Sequence, residues 1–167
     1  MSNSTTSADK ELFIKMVLSN WETQISRTNN LLAKLSDEEL SAQTSPGRNT
    51  GVYLIGHLAA VSDGMFKLLE LGERLNPGMD EIFLHNPENS GIEKPGVAEI
   101  KEYWNNVNSR LLHKIAQMPV DEWFNRHTSV SAEDFAKEPH RNKLNIVINR
   151  TNHLSYHLGQ MAYLDKK

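Results

Sequence analysis

Apolar residues recur three and four apart over four long stretches of the chain, the spacing of amphipathic helices. Leu12, Met16, Ile25, Leu31, Leu32 and Leu35 mark the first, ending near Ser36, with the amides Asn20 and Gln24 interrupting its face. Leu54, Leu58, Val61, Met65, Leu68 and Leu69 mark the second, from about Val52 to Leu71, with Gly72 as its stop. Ile100, Trp104, Val107, Leu111 and Ile115 mark the third, from about Val97 to Met118. The fourth runs from about Asn142 to Leu164. No segment sustains period-two alternation with β-branched residues, so no sheet is predicted.

The connections carry their own signals. Ser36 stands three residues before Glu39, a capping box that starts a short helix. Thr44–Gly51 is dense in turn residues and reads as a loop. Pro119–Trp123 repeats the acidic helix start after a long helix, a weak hint of two related halves. Residues 124–140 read as a second loop region with one short turn at Ala132–Phe135. Residues 1–7 are small and polar and are expected to be disordered. The sum is an all-α four-helix bundle, a single domain over residues 1–167, with short extra helices in its connections.

The segment from Gly72 to Gly96 holds four glycines and three prolines. It is long enough to return along a helix of roughly 27–30 Å, so the middle helices are free to run parallel. It is either a lid over one end of the bundle or a plain crossover.

Composition narrows the function. The chain of 167 residues is 38% hydrophobic and 23% charged, with 18 basic and 21 acidic residues interspersed for a net charge of −3. Without a basic block, nothing points to nucleic acid. With no cysteine, disulfides, thiolate metal sites and a cysteine nucleophile are excluded. The start has no apolar stretch of the signal-peptide kind, and the uncharged run Asn49–Ser62 is too short for a bilayer. A soluble, cytoplasmic protein is expected.

Of seven histidines, three stand where a metal would use them. His153 and His157 are four apart on one helix and so share a face one turn apart. His57 lies at the edge of the apolar stripe on another helix, with small Ala60 and Gly64 leaving room beside it. Histidines on facing helices are a common way to build a site inside a bundle. The blander readings are a chance pair on one helix and a hydrogen-bonded core histidine on the other. The residues between the pair are Leu, Ser and Tyr, so this is not HExxH, and no carboxylate on these faces supplies a general base. Gln160, one turn beyond His157, is a candidate for orienting a water or substrate, or simply a polar amide behind the site. Asn20 and Gln24 are either buried near the site or solvent-facing, and Trp21, Trp104 and Trp123 read as core.

Gly56-His57-Leu58 after a Pro/Gly loop, together with His153-x-x-x-His157-x-Gly159-Gln160 near the end, resembles the DinB-like (YfiT-like) superfamily of metal-dependent enzymes. The resemblance covers nearly the whole chain. It implies an up-down-down-up bundle, a divalent metal on His57, His153 and His157, frequent homodimers, and for some members thiol-dependent transfer or isomerisation with a low-molecular-weight thiol.

Three neutral nitrogens with open positions describe a catalytic metal site. Zinc or nickel suits imidazole best, with manganese or iron as alternatives. The leading expectation is a transferase or hydrolase using a metal-bound water or an external thiol. The alternatives are a non-catalytic or stress-related bundle with a structural or vestigial site, and a metal-free interaction module. The apolar arcs of the second and fourth helices are wider than one core seam needs, which predicts a homodimer burying the surplus.

Overall fold

The computed structural model describes residues 6–166. Four long helices, α1 (Ser7–Lys34), α3 (Gly51–Leu68), α5 (Val97–Ile115) and α7 (Lys143–Met161), build the bundle. Short helices α2 (Asp37–Ser41), α4 (Met79–Phe83) and α6 (Ala132–Lys137) lie in the connections, with 3-10 turns at Val120–Phe124 and Ala162–Leu164. Among the described residues there is no strand beyond two isolated bridges, and no helix is long and apolar enough to cross a membrane.

Side-chain oxygens set the helix starts. Ser36 and Glu39 form the expected capping box at 3.1 and 2.8 Å. Thr6 and Asp9 form another, so Thr6 and Ser7 are ordered, against the expected disorder of residues 1–7. Residues 1–5 lie outside the described residues. Asn142 caps α7 through the Asn145 N–H at 3.0 Å.

Two expectations need correction. The first concerns α1, which buries Ile14, Trp21, Ile25, Thr28 and Leu32, while Leu12 and Met16 are 58% and 55% exposed. The row Leu12–Met16–Asn20 lies beside the core row. Its Met16 and Asn20 instead border a groove with Ile148 and Thr151 of α7. The second concerns the end of α3, which closes at Leu68, before Gly72. The Leu71 N–H bonds the Phe66 carbonyl at 2.8 Å and the Glu70 N–H bonds that of Lys67 at 3.3 Å, a Schellman closure. Glu70 takes the left-handed conformation at φ 59° that glycine usually supplies. Its carboxylate meets the buried Lys143 ammonium at 2.6 Å, an anchor a glycine lacks.

α3 is buried on nearly every side. Its half-buried row is His57, Val61, Gly64 and Leu68, and the matching row on α7 is Arg150, His153, His157 and Gln160. His57 meets His153 while Glu70 meets Lys143, so residue numbers rise on one helix as they fall on the other. The two helices are antiparallel, and these half-buried rows lie side by side.

The connection from 72 to 96 is tied down along α3. Asp63, fully buried, accepts from the Leu75 and Asn76 N–H groups at 2.7 and 3.1 Å and pairs with Arg74, which also grips Asp80. Further on, the Tyr53 hydroxyl donates to the Asn86 carbonyl at 2.6 Å, and Thr50 donates to Glu88. Between these ties α4 lays Phe83 flat against Gly56. A Cβ at Gly56 would meet the Phe83 ring at 2.3 Å, whereas one at Gly159 would meet nothing within 4 Å. Gly56→Ala is therefore expected to destabilise by about 1–3 kcal/mol. Gly159→Ala is expected to stabilise by about 0.5–1 kcal/mol through helix propensity alone. Denaturant unfolding of both variants against the parent checks the pair.

Candidate metal centre

The three predicted histidines come together between α3 and α7. His153 Nε2 lies 3.1 Å from His57 Nε2 and 3.0 Å from His157 Nε2. The rings meet edge to face, with centroids 4.6–5.2 Å apart. Each ring offers one nitrogen to a common point, and no carboxylate among the described residues joins the group.

Hydrogen bonds behind the rings fix which nitrogen points inward. His57 Nδ1–H donates to the Phe83 carbonyl at 2.9 Å. His157 Nδ1–H donates to the Gln160 amide oxygen at 2.7 Å. These bonds assign the tautomers, and both Nε2 atoms are left as bare lone pairs aimed at His153. His153 has one proton when neutral. On Nε2 it satisfies only one of the facing lone pairs, and on Nδ1 it satisfies neither. Nδ1 itself is buried with no partner. The three rings therefore cannot satisfy one another. One cation at the meeting point satisfies all three lone pairs. Nitrogens on a tetrahedral zinc stand roughly 3.3 Å apart, given bonds of about 2.0–2.1 Å. The observed separations need only small adjustment, so the donor set fits a divalent ion.

Protonation is disfavoured at the same place. Burial, then the neighbouring His157, His57 and Arg150, push His153 down to about 4. Burial also lowers His157, with the Gln160 bond opposing. Both rings stay neutral at physiological pH, the state a metal needs.

Gln160 lies at the site and holds His157 in place. It also borders a surface pocket of about 260 Å3 with Thr44, Ser45, Arg48, Tyr156 and Tyr163. A larger pocket of about 490 Å3, between residues after α3 and the end of α5, contains none of the three histidines. Gln24 borders the groove on the α1 side of α7, and Asn20 is exposed there, so neither amide reaches the histidines. Ala60 is fully buried and does not line the cleft, while Gly64 leaves the open space expected of it. The tryptophans are core, as expected.

Two contributors escaped the sequence. The Phe83 carbonyl is a backbone group on a distant connection, which no residue pattern announces. Arg150 stands three residues before His153 on the same face, and that spacing was the available signal.

A family model for the DinB superfamily matches residues 20–161. The chain belongs to the DinB superfamily. Among curated proteins none matches the chain. The superfamily's association with metals agrees with the histidine cluster.

The depressed histidines carry a prediction for the metal-free protein. In the unfolded chain a histidine takes its proton near pH 6.5, whereas folded His153 resists it to about 4. Below 6.5 the unfolded state binds more protons. Stability is therefore full above about pH 6.5 and declines as pH falls toward 4. Chemical unfolding across that window should show the decline, and His153→Gln should flatten it.

Proposed function

We propose that this DinB superfamily member is a metal-dependent enzyme in which His57, His153 and His157 hold one divalent ion. The observation that carries the reading is the convergence of three Nε2 atoms whose neighbours turn two Nδ1–H groups outward. Zinc or nickel fits this all-imidazole set best, and manganese or iron is the alternative. When bound, such an ion lowers the pKa of a coordinated water or thiol and so supplies a nucleophile.

The chain does the rest. Phe83 and Gln160 hold the rings in one tautomer. Half-exposed ring edges and the pocket beside Gln160 support an accessible site rather than a closed structural one. With its oxygen engaged by His157, Gln160 has its amide nitrogen left to orient a substrate or water in that pocket. The absence of cysteine means that any sulfur nucleophile is a low-molecular-weight cosubstrate. A transferase using that thiol, or a hydrolase using water, is the reaction class. The same composition suits the reducing cytoplasm.

A twofold homodimer belongs to the same proposal, on a changed basis. The apolar surplus of α3 is taken up inside the chain, so it offers no interface. Exposed Leu12, Phe13 and Met16 on α1 and Ile148 on α7 form the available patch.

Protein purified without an affinity-tag metal should contain about one ion per chain by elemental analysis. His153→Ala should lose it, together with any metal-dependent thiol transfer or hydrolysis. Full metal retention by that variant overturns the site. In sedimentation, a species near twice the 19.0 kDa chain mass is expected, and Phe13→Glu should halve it. A parent chain that sediments at its own mass rejects the dimer.

A further inference from the structure

α7 carries a buried cation, Lys143, and a half-buried one, Arg150, seven residues apart, and the chain treats them differently. Lys143, 1% exposed, is paired with both Glu70 and Glu122. Arg150 has no carboxylate and no hydrogen bond among the described residues, and its Nε is buried without a partner. Its Nε has thus lost water without gaining a partner, which is unfavourable and which folded chains seldom allow. The unpaired state therefore suggests a missing anion.

Position identifies where that anion would sit. Arg150 shares the cleft-facing row of α7 with His153 and His157, one and two turns away. On α3, the antiparallel register set by His57–His153 and Glu70–Lys143 brings Val61 opposite it, with Gly64 one turn further on. A Cβ at Gly64 would meet nothing within 4 Å, so space lies there. The surroundings are cationic. Burial, and then Arg141, Arg126 and Arg150, make His127 harder to protonate than a free imidazole. Arg141 already pairs with Glu138, and Arg126 donates to the Val130 carbonyl, so Arg150 is the one with no partner.

We propose that Arg150 binds a carboxylate of the substrate or cosubstrate, and so places the remainder of that molecule at the three-histidine centre. A single planar guanidinium matches a single carboxylate in charge and in its two-pronged geometry. A phosphate dianion would call for more donors than Arg150 alone provides. One helical turn separates Cβ atoms by about 5–6 Å. The ligand class is thus a small carboxylic acid whose reactive thiol, or other metal-seeking group, lies a few bonds from the carboxylate. This inference rests on the proposed metal site.

The test compares 3-mercaptopropionate with its neutral analogue 3-mercapto-1-propanol, by calorimetric titration into zinc-loaded protein. The acid should bind about ten- to a hundredfold more tightly to the parent chain, the range of a charge-assisted bond. Arg150→Met should erase that preference while keeping zinc content and alcohol binding unchanged. Arg150→Lys should keep part of it, and Arg27→Met, altering an exposed arginine of α1, should keep all of it. Because Arg150→Met removes a half-buried charge that has no partner, its thermal stability should equal or exceed that of the parent. Equal binding of acid and alcohol by the parent overturns the proposal. So does a preference that survives Arg150→Met or vanishes with Arg27→Met, and so does marked unfolding of Arg150→Met, which would make the arginine structural. Metal content separates the two ideas. If the parent binds no zinc, the site reading fails. The arginine is then judged by whether propionate raises the melting temperature of the parent but not of Arg150→Met.

Discussion

Nδ1 of His57 donates to the Phe83 carbonyl at 2.9 Å, and that bond exists because residue 56 has no side chain. The Phe83 ring occupies the place where a Cβ would stand, and so α4 lies directly on α3. Its terminal carbonyl then falls within reach of the next residue of α3, His57. The orientation of one ring of the site is thus set by a packing contact at the neighbouring residue of the helix. A shift of α4 by an ångström would free Nδ1, let the imidazole turn, and scatter the lone pair that now points at His153. The ring positions belong to the core as much as to the cleft.

What holds α4 in place is electrostatic. Asp63 sits on α3 with no exposed surface, a position where an ionised carboxylate survives only if its oxygens are occupied. Two backbone N–H groups, the Tyr103 hydroxyl and the Arg74 guanidinium fill them. Arg74 also takes Asp80 in a two-pronged pair at 2.5 Å, joining the start of α4 to α3. Burial and the Asp63 charge push the Tyr103 hydroxyl far up, so it remains a donor. The Gly/Pro-rich connection is therefore a strap with polar anchors before and after α4 and an apolar anchor, Phe83, at the end of that helix.

This division explains what the sequence disclosed. The four long helices were legible because their apolar rows repeat at helical spacing, and the histidine pair because four residues make one turn. His57 was legible because it interrupts an apolar row beside small neighbours. The row of α1 was misjudged at Leu12 and Met16, since two adjacent rows both carry apolar residues and only the packing of α7 decides which is buried. The end of α3 was misplaced because a glycine at 72 looked like the stop, while Glu70 accepted a left-handed backbone and gained Lys143. The Phe83 carbonyl was not legible at all, because every residue has one. Arg150 resembles any solvent-facing arginine until the absence of an acid opposite it is known.

The charge of the site closes the argument. Three imidazoles are neutral ligands, so on the proposed reading a divalent ion keeps its full charge where a carboxylate ligand would have reduced it. Arg150 adds another positive charge one turn away, and no acid among the described residues pairs with it. Burial already keeps His153 and His157 from adding protons of their own. Such a cleft repels cations, binds neutral molecules weakly, and gains most from a ligand that brings two negative groups at once. A thiolate meeting the ion and a carboxylate meeting Arg150 are two such groups, each placed where positive charge has no partner.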